Sequence, residues 1–288
     1  MNDLLKFSGV LLLSIGVCNV QADTLSDVRT KGSLSCGIST SLVGFSSADS
    51  TGNWKGLDVD VCRAVAAATL GSASKVKYVP LTAKERFTAL QNGEIDILSR
   101  NTTWTLTRDG SLGLNFAGVN YYDGQGFMVK KSLGISSAKD LDGATFCLQA
   151  GTTTELNLAD FFKSHGMEYN SSVSDTSAQT VKGFELGRCD VLTSDQSQLY
   201  ALRTTLKDPL SAMVLEDVIS KEPLGPVVRQ GDDKWFNIVK WSLNAMITAE
   251  ELGVSSNNVD QNTKNPEINR LLGNSGKLHD HLGLDKKW

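Results

Sequence analysis

The sequence has few of the residues and motifs on which catalysis, metal binding and nucleotide binding usually depend. Its 288 residues include only 3 histidines and 5 cysteines. The motifs GxxxxGK(S/T), GxGxxG, GxSxG and HExxH are absent, and no CxxC or HxxxH spacing favours a zinc site. We therefore expect a protein that is not an enzyme and that uses neither a metal nor a cofactor.

Charge of one sign and long apolar runs are also scarce. The formal net charge of -4 does not indicate a nucleic-acid partner. An apolar run from Phe7 to about Cys18 is too short to span a bilayer comfortably, and no later run is long enough. We interpret residues 1–22 as a secretory signal peptide that is cut after Ala22. A lipid anchor at Cys18 is the alternative, although Val17 is bulkier than such cleavage sites usually have.

Removal of the signal peptide leaves an even number of cysteines. Cys36, Cys62, Cys147 and Cys189 would then enter an oxidising compartment, where two disulfides are the expected outcome. Four buried free thiols are the alternative.

Strand-length apolar runs alternate with helical patterns along the chain. The runs LSCGI, KVKYVPL and IDILS are typical of strands, and LDVDVCRAVAAATL and KERFTALQNG are typical of helices. This alternation predicts an α/β fold with parallel sheets, as one large or two smaller domains. The segment DDKWFNIVKWSL predicts a further helix, with Trp235, Phe236 and Trp241 on one face packed on a core.

A weak internal repeat links two parts of the chain. ERFTALQNGEIDILSR and TVKGFELGRCDVLTSD each read as a helix, a glycine, an aspartate three residues later and a short strand. The glycines are Gly93 and Gly187, and the aspartates are Asp96 and Asp190. Polar residues follow both strands, at Ser99–Thr103 and at Thr193–Gln196. Because ligands bind beyond the carboxyl ends of strands in open α/β sheets, we expect both copies to face a common cleft. Coincidence between two ordinary helix-strand units is the alternative.

Three separate features could together bind a zwitterion. Arg108 follows a hydroxyl-rich segment at a strand end, and a guanidinium can hold a carboxylate with two hydrogen bonds. Thr152 and Glu155 have the spacing of a capping box, so the free N–H groups of a helix start offer a second carboxylate site. Asp195 follows the strand DVLTS and could accept an ammonium group. Taken singly, a surface arginine, an ordinary helix cap and a solvated or N-capping aspartate are the alternatives.

As a set, six segments resemble those of family 3 periplasmic solute-binding proteins, most closely the general L-amino-acid-binding subgroup of polar amino-acid ABC uptake systems. They are GNWKGLDVDVCRAVAAA, KVKYVPLTAKERFTALQNGEIDILSRNTTWTLTRD, NYYDGQGFMV, GTTTELNLADFF, GRCDVLTSD and ISKEPLGPVVRQGDDKWF. The resemblance implies a type II, two-lobed periplasmic-binding-protein fold, in which two crossover strands join two α/β lobes. Lobe 1 would comprise residues 23–122 and 226–288, and lobe 2 residues 126–222. A further helical segment beyond Trp288 is also implied.

The resemblance also implies a function and a set of site residues. A monomer in the periplasm would capture L-amino acids, with broad or polar-leaning selectivity, by hinge closure and deliver them to the permease subunits of an ABC transporter. Arg108 would bind the ligand carboxylate, helped by Thr103, Thr152 and Thr153, and Asp195 would bind the ligand amine.

Arg100 or Asn101 would reach the ligand side chain, with a surface salt bridge of Arg100 as the alternative. In the two-lobe arrangement, disulfides that leave the hinge free would join Cys36 to Cys62 and Cys147 to Cys189. An enzyme on the same scaffold, such as a dehydratase of cyclic amino-acid precursors, is a rival reading. It needs a general acid or base in the cleft, and no histidine falls near the strand ends. An amino-acid sensory domain, which would normally be tethered, is another.

Overall fold

The computed structural model describes residues 23–261, 264–286 and 288. The expected signal peptide, residues 1–22, and its cleavage site lie outside these residues. Across them, no helix is both long enough and apolar enough to span a membrane.

The described chain alternates strands and helices. The strands are β1 (Leu34–Ser39), β2 (Ser47–Ala48), β3 (Trp54–Lys55), β4 (Val76–Leu81), β5 (Ile97–Leu98), β6 (Leu114–Phe116), β7 (Tyr121–Asp123), β8 (Gln125–Lys130), β9 (Thr145–Gln149), β10 (Asn170–Ser174), β11 (Val191–Asp195), β12 (Ala212–Val214), β13 (Glu222–Leu224) and β14 (Val227–Arg229). The α-helices are α1 (Thr24–Lys31), α2 (Leu57–Leu70), α3 (Arg86–Gln91), α4 (Leu106–Ser111), α5 (Thr154–His165), α6 (Ser177–Glu185), α7 (Gln196–Arg203), α8 (Asp233–Glu251) and α9 (Pro266–Leu271).

Two sheets divide the protein into two lobes, as the resemblance implies, and each sheet is mixed rather than wholly parallel as the alternation predicts. The lobe 1 sheet has the strand order β4-β1-β5-β14-β6, and the lobe 2 sheet has the order β10-β9-β11-β8-β12. In each sheet the first three strands of this order are parallel. The fourth strand pairs antiparallel with both the third and the fifth. The chain passes between the lobes through β7 and β13, an antiparallel pair in which Tyr122 lies opposite Pro223. This pair is the two-stranded connection that the resemblance implies.

Helices α2 and α8 cover one face of the lobe 1 sheet. Val61, Cys62, Val65 and Ala66 of α2 are buried at the i, i+3, i+4 spacing of a helix that packs on a core. Helix α2 ends at Gly71, whose φ of 69° is the left-handed conformation of a glycine C-cap.

The prediction that Trp235, Phe236 and Trp241 share one buried face of α8 was wrong for Trp241. Trp235 is buried and Phe236 packs against the same core, whereas Trp241 is 51 % exposed. Six residues at about 100° each place Trp241 well away from Trp235 around the helix axis.

The internal repeat corresponds to two equivalent units, one in each lobe. In lobe 1 the Asp96 carboxylate accepts the backbone N–H of Ser35, and the Asp96 N–H donates back to the Ser35 carbonyl. In lobe 2 Asp190 makes the same reciprocal pair of bonds with Thr145. Each aspartate therefore joins the start of one strand to its parallel neighbour.

Both disulfides of the structure lie within a lobe. Cys36 on β1 is bonded to Cys62 on α2, and Cys147 on β9 is bonded to Cys189, just before β11. Each bridge therefore ties a sheet strand to its own lobe and leaves the two-stranded connection free.

Candidate functional site

The two predicted strand ends face each other across the gap between the lobes. The amide nitrogen Nδ2 of Asn101, beyond β5, donates to Oε1 of Gln198 on α7 at 3.2 Å. A guanidinium nitrogen of Arg86 on α3 donates to the carbonyl of Gly151, beyond β9, at 3.3 Å. These bonds bring residues beyond the strand ends of both lobes together, and that the polar segments of both repeat units line one ligand cleft stays a prediction.

Arg108 lies in the short helix α4 of lobe 1, which follows β5. Thr105 caps α4 by accepting the N–H of Arg108 at 3.2 Å. The alternative of a surface arginine is wrong, because Arg108 is only 8 % exposed. Its guanidinium donates to the Thr103 carbonyl at 2.9 Å and lies 5.1 Å from the ring centre of Phe87. Thr103 is itself buried and bridges to Leu224 of β13.

Three arginines are buried together without a countercharge in contact. Arg86, Arg100 and Arg108 are all under a tenth exposed, and no carboxylate oxygen lies within 4.0 Å of their guanidinium nitrogens in the part of the chain that the structure describes. Burial lowers the pKa of each, and the charge of Arg108 lowers the pKa of Arg86 and Arg100 further. This cluster favours an anionic group in the cleft.

Arg86 was missed by the sequence reasoning. It is 2 % exposed, and its Nε has no hydrogen-bond partner among the described residues. No local sequence pattern indicates that Arg86 is buried, because an arginine at a helix start is usually solvated.

Asp195 is the acid that lobe 2 contributes. It ends β11 and is 7 % exposed, so the alternative of a solvated aspartate is wrong. It stands at the N-cap position of α7 but makes no side-chain cap bond, and none of the described hydrogen bonds or ion pairs involves its carboxylate. Burial, followed by the charges of Glu222 and Asp123, raises the pKa of Asp195 to about 8. A buried carboxyl without a protein partner suits an ammonium group.

The predicted capping box at the start of α5 is absent. The N-cap is Thr153, one residue later than expected, so Glu155 is not at the third helical position that the box requires. Thr152 donates its hydroxyl to the Gln149 carbonyl at 2.8 Å, and Thr153 donates to Glu222 at 2.9 Å. Both threonines lie at the cleft edge of lobe 2, but Thr153 is engaged with the connection between the lobes.

Glu222 on β13 is a second residue that the sequence reasoning missed. It is 2 % exposed and accepts hydrogen bonds from Thr153, Asn157 and Ser220. Its charge lies close enough to affect the pKa of both Asp195 and Arg108. The segment ISKEPLGPVVRQGDDKWF, which is part of the family resemblance, was the only signal for it.

The two side-chain candidates lie in a fixed loop. Asn101 has a φ of 31°, unusual for a residue other than glycine, and its N–H donates to the buried carboxylate of Asp58 at 2.7 Å. Arg100 donates through Nε to the Leu81 carbonyl at 2.9 Å and through a terminal nitrogen to Asn101 at 3.4 Å. The alternative of a surface salt bridge is wrong for Arg100, which is 4 % exposed. Asn101 itself reaches across to lobe 2.

Comparison with known proteins identifies the family of the chain. The model of the bacterial extracellular solute-binding proteins, family 3, matches residues 34–257. The chain belongs to this family. A relative from Rhizobium johnstonii, the general L-amino acid-binding periplasmic protein AapJ, is 55 % identical over 97 % of this chain and 83 % of its own length.

Two further proteins are similar to this chain over most of its length. The glutamate/glutamine/aspartate/asparagine-binding protein BztA of Rhodobacter capsulatus is 52 % identical over 97 % of this chain and 83 % of its own. A periplasmic binding protein of an ABC transporter from Brucella ovis, solved with glutathione bound, has a TM-score of 0.89 and 53 % identity over 93 % of this chain and 85 % of its own.

No group of three His, Cys, Asp or Glu side chains able to hold a metal occurs in the described ranges.

Proposed function

We propose that this family member captures free L-amino acids in the periplasm and delivers them to the permease subunits of an ABC transporter. The observation that carries the proposal is a buried guanidinium and a buried carboxyl on facing lobes, neither of which has a salt-bridge partner among the described residues. Arg108 of lobe 1 and Asp195 of lobe 2 each alter the pKa of the other, so they share one electrostatic environment. An α-carboxylate for Arg108 and an α-ammonium for Asp195 would satisfy both charges.

The same pair gives a reason for hinge closure. A ligand that touches Arg108 and Asp195 at once makes both contacts only when the lobes meet, so it binds the closed arrangement more tightly. We propose that lobe 2, residues 126–222, moves against lobe 1, residues 23–122 and 226–288, about the β7–β13 pair. Closed monomers would then be the form that the permease recognises.

The preferred ligands should be amino acids with acidic or amide side chains. Arg86 and Arg100 lie close enough to Arg108 to have their pKa lowered by its charge, so the cluster offers guanidinium groups beyond the one that would bind the α-carboxylate. BztA, a glutamate/glutamine/aspartate/asparagine-binding protein, agrees with such a range, whereas AapJ is a general L-amino acid-binding protein. Glutathione, the ligand of the Brucella ovis protein, carries the same α-ammonium and α-carboxylate at its glutamyl end.

A thermal-shift panel tests this function. Glutamate, glutamine, aspartate, asparagine, leucine and glutathione would each be added to the purified mature chain, because a ligand that binds only the folded form raises its melting temperature. Each L-amino acid that binds should raise the melting temperature, and its D-enantiomer should raise the melting temperature less. No shift with any member of the panel would contradict the proposal.

A further inference from the structure

Gly151 brings the backbones of the two lobes into contact. It lies between β9 and α5 in lobe 2, with a φ of +76°. A Cβ built on it would lie 2.9 Å from the Cα and N of Lys84 and 3.0 Å from the carbonyl carbon of Ala83, all backbone atoms of lobe 1. Backbone atoms cannot turn aside as the end of a side chain can. Any other residue at this position would therefore separate the lobes or distort one of them.

A hydrogen bond fixes the same contact. The carbonyl of Gly151 accepts from Arg86, which follows Lys84 by two residues at the start of α3. The other terminal nitrogen of Arg86 donates to the Arg100 carbonyl at 3.3 Å and to the Thr102 hydroxyl at 3.4 Å. One buried guanidinium thus ties the lobe 2 turn to the loop that precedes Thr103 and Arg108.

We propose that the contact of Gly151 with Ala83 and Lys84 is the stop that sets how far the lobes close, and that Arg86 locks the lobes at this stop. The proposal rests on the hinge-closing function above. Gly151 immediately precedes Thr152 and Thr153, so an added atom at Gly151 would hold this edge of lobe 2 away from lobe 1. Gly151 is then a positioning residue, which acts on the ligand through the lobe arrangement.

Two substitutions separate the collision from backbone strain. Gly151→Ala adds a Cβ to a residue in a left-handed conformation, and Gly151→Asn adds one to a residue type that tolerates this conformation better. Gly166 provides the matched control, because it caps α5 in the same lobe with a φ of +66° and nothing lies within 4 Å of its ideal Cβ. Gly166→Ala and Gly166→Asn therefore carry the strain without the collision.

The distance between the lobes is the primary measurement. Nitroxide labels would be attached to cysteines introduced at Ser50 of lobe 1 and Lys207 of lobe 2, both of which are exposed. Electron paramagnetic resonance then measures the distance between the labels with and without L-glutamate. We expect both Gly151 variants to lack the shortest separation seen in the wild type, and both Gly166 variants to keep it. Calorimetry should show the affinity of the Gly151 variants for every amino acid falling by about tenfold or more, equivalent to about 1.4 kcal/mol.

The possible outcomes distinguish this proposal from the proposed function. Wild-type separations and affinity in the Gly151 variants would overturn the stop. An equal loss of affinity in the Gly166 variants would also overturn it, because strain alone would then explain the effect. If the wild type bound no amino acid, the proposed function would fail, while the label distances would still decide whether Gly151 sets the closest approach. Urea unfolding of each variant shows that the lobes remain folded.

Discussion

If Asp195 binds the ligand amine, as we propose, its raised pKa makes ligand binding dependent on pH in a defined direction. Burial, then Glu222 and Asp123, raises the pKa of Asp195 to about 8, against the lowering influence of Arg86 and Arg108. An ammonium group binds the ionised carboxylate, so below pH 8 the ligand must displace a proton. The ionised fraction falls about tenfold for each unit below the pKa. We expect affinity for an amino acid to rise by about ten- to a hundredfold between pH 6 and pH 8.

Calorimetry in two buffers of different ionisation enthalpy checks this linkage. At pH 7 the binding of a neutral amino acid should release about one proton to the buffer. Asp195→Asn should bind weakly and without this proton release or pH dependence, since an amide does not titrate. Wild-type affinity that is constant from pH 6 to pH 8, with no proton released, would refute the reasoning. The sign for stability is opposite: because the folded pKa exceeds the ordinary value near 4, the free protein should lose stability as the pH rises from about 4 to 8.

Three other predictions follow from the packing and the contacts between the lobes. Asn101→Ala removes the bond to Gln198 and should weaken binding of all ligands by about two- to tenfold without changing their ranking, as titration calorimetry would show; a reordered ranking would assign Asn101 to side-chain recognition. Replacing Cys147 and Cys189 by serine should lower the free energy of unfolding, measured in urea, by about 2–4 kcal/mol, with affinity retained. In the wild type, peptide mapping that linked Cys36 to Cys147 or Cys189 would contradict the pairing. Trp235→Ala should cost about 3–5 kcal/mol of stability and Trp241→Ala under about 1 kcal/mol, and equal losses would contradict the burial difference.

The strand-end residues could be predicted from the sequence because their positions follow from local patterns. Asp195 ends the short apolar strand β11, and Arg108 lies in α4, the helix that follows the short apolar strand β5, so strands that the sequence predicts fix where both residues lie. The repeat likewise showed the aspartates that join neighbouring strands, Asp96 and Asp190.

The residues that were missed depend on distant parts of the chain. The hydrogen bonds to Glu222 from Thr153 and Asn157 span 69 and 65 residues, and the bond from Arg86 to Gly151 spans 65. No local pattern distinguishes such buried charges from solvated ones. The two local errors have simple causes. The N-cap of α5 lies one residue later than the predicted capping box. The turn of about 100° per residue places Trp241 on a different face of α8 from Trp235.

Amino-acid binding to three forms of the protein tests the central claim most directly. L-glutamine, L-glutamate and L-leucine would each be titrated into the wild type, Arg108→Ala and Asp195→Ala, with circular dichroism to show that each form is folded. Truncating one partner of a buried charge pair costs about 2–5 kcal/mol, so both variants should lose at least tens of fold in affinity, and to a similar extent for glutamate and leucine. Near-wild-type affinity in either folded variant, or a loss confined to acidic ligands, would show that these residues do not hold the groups that all amino acids share.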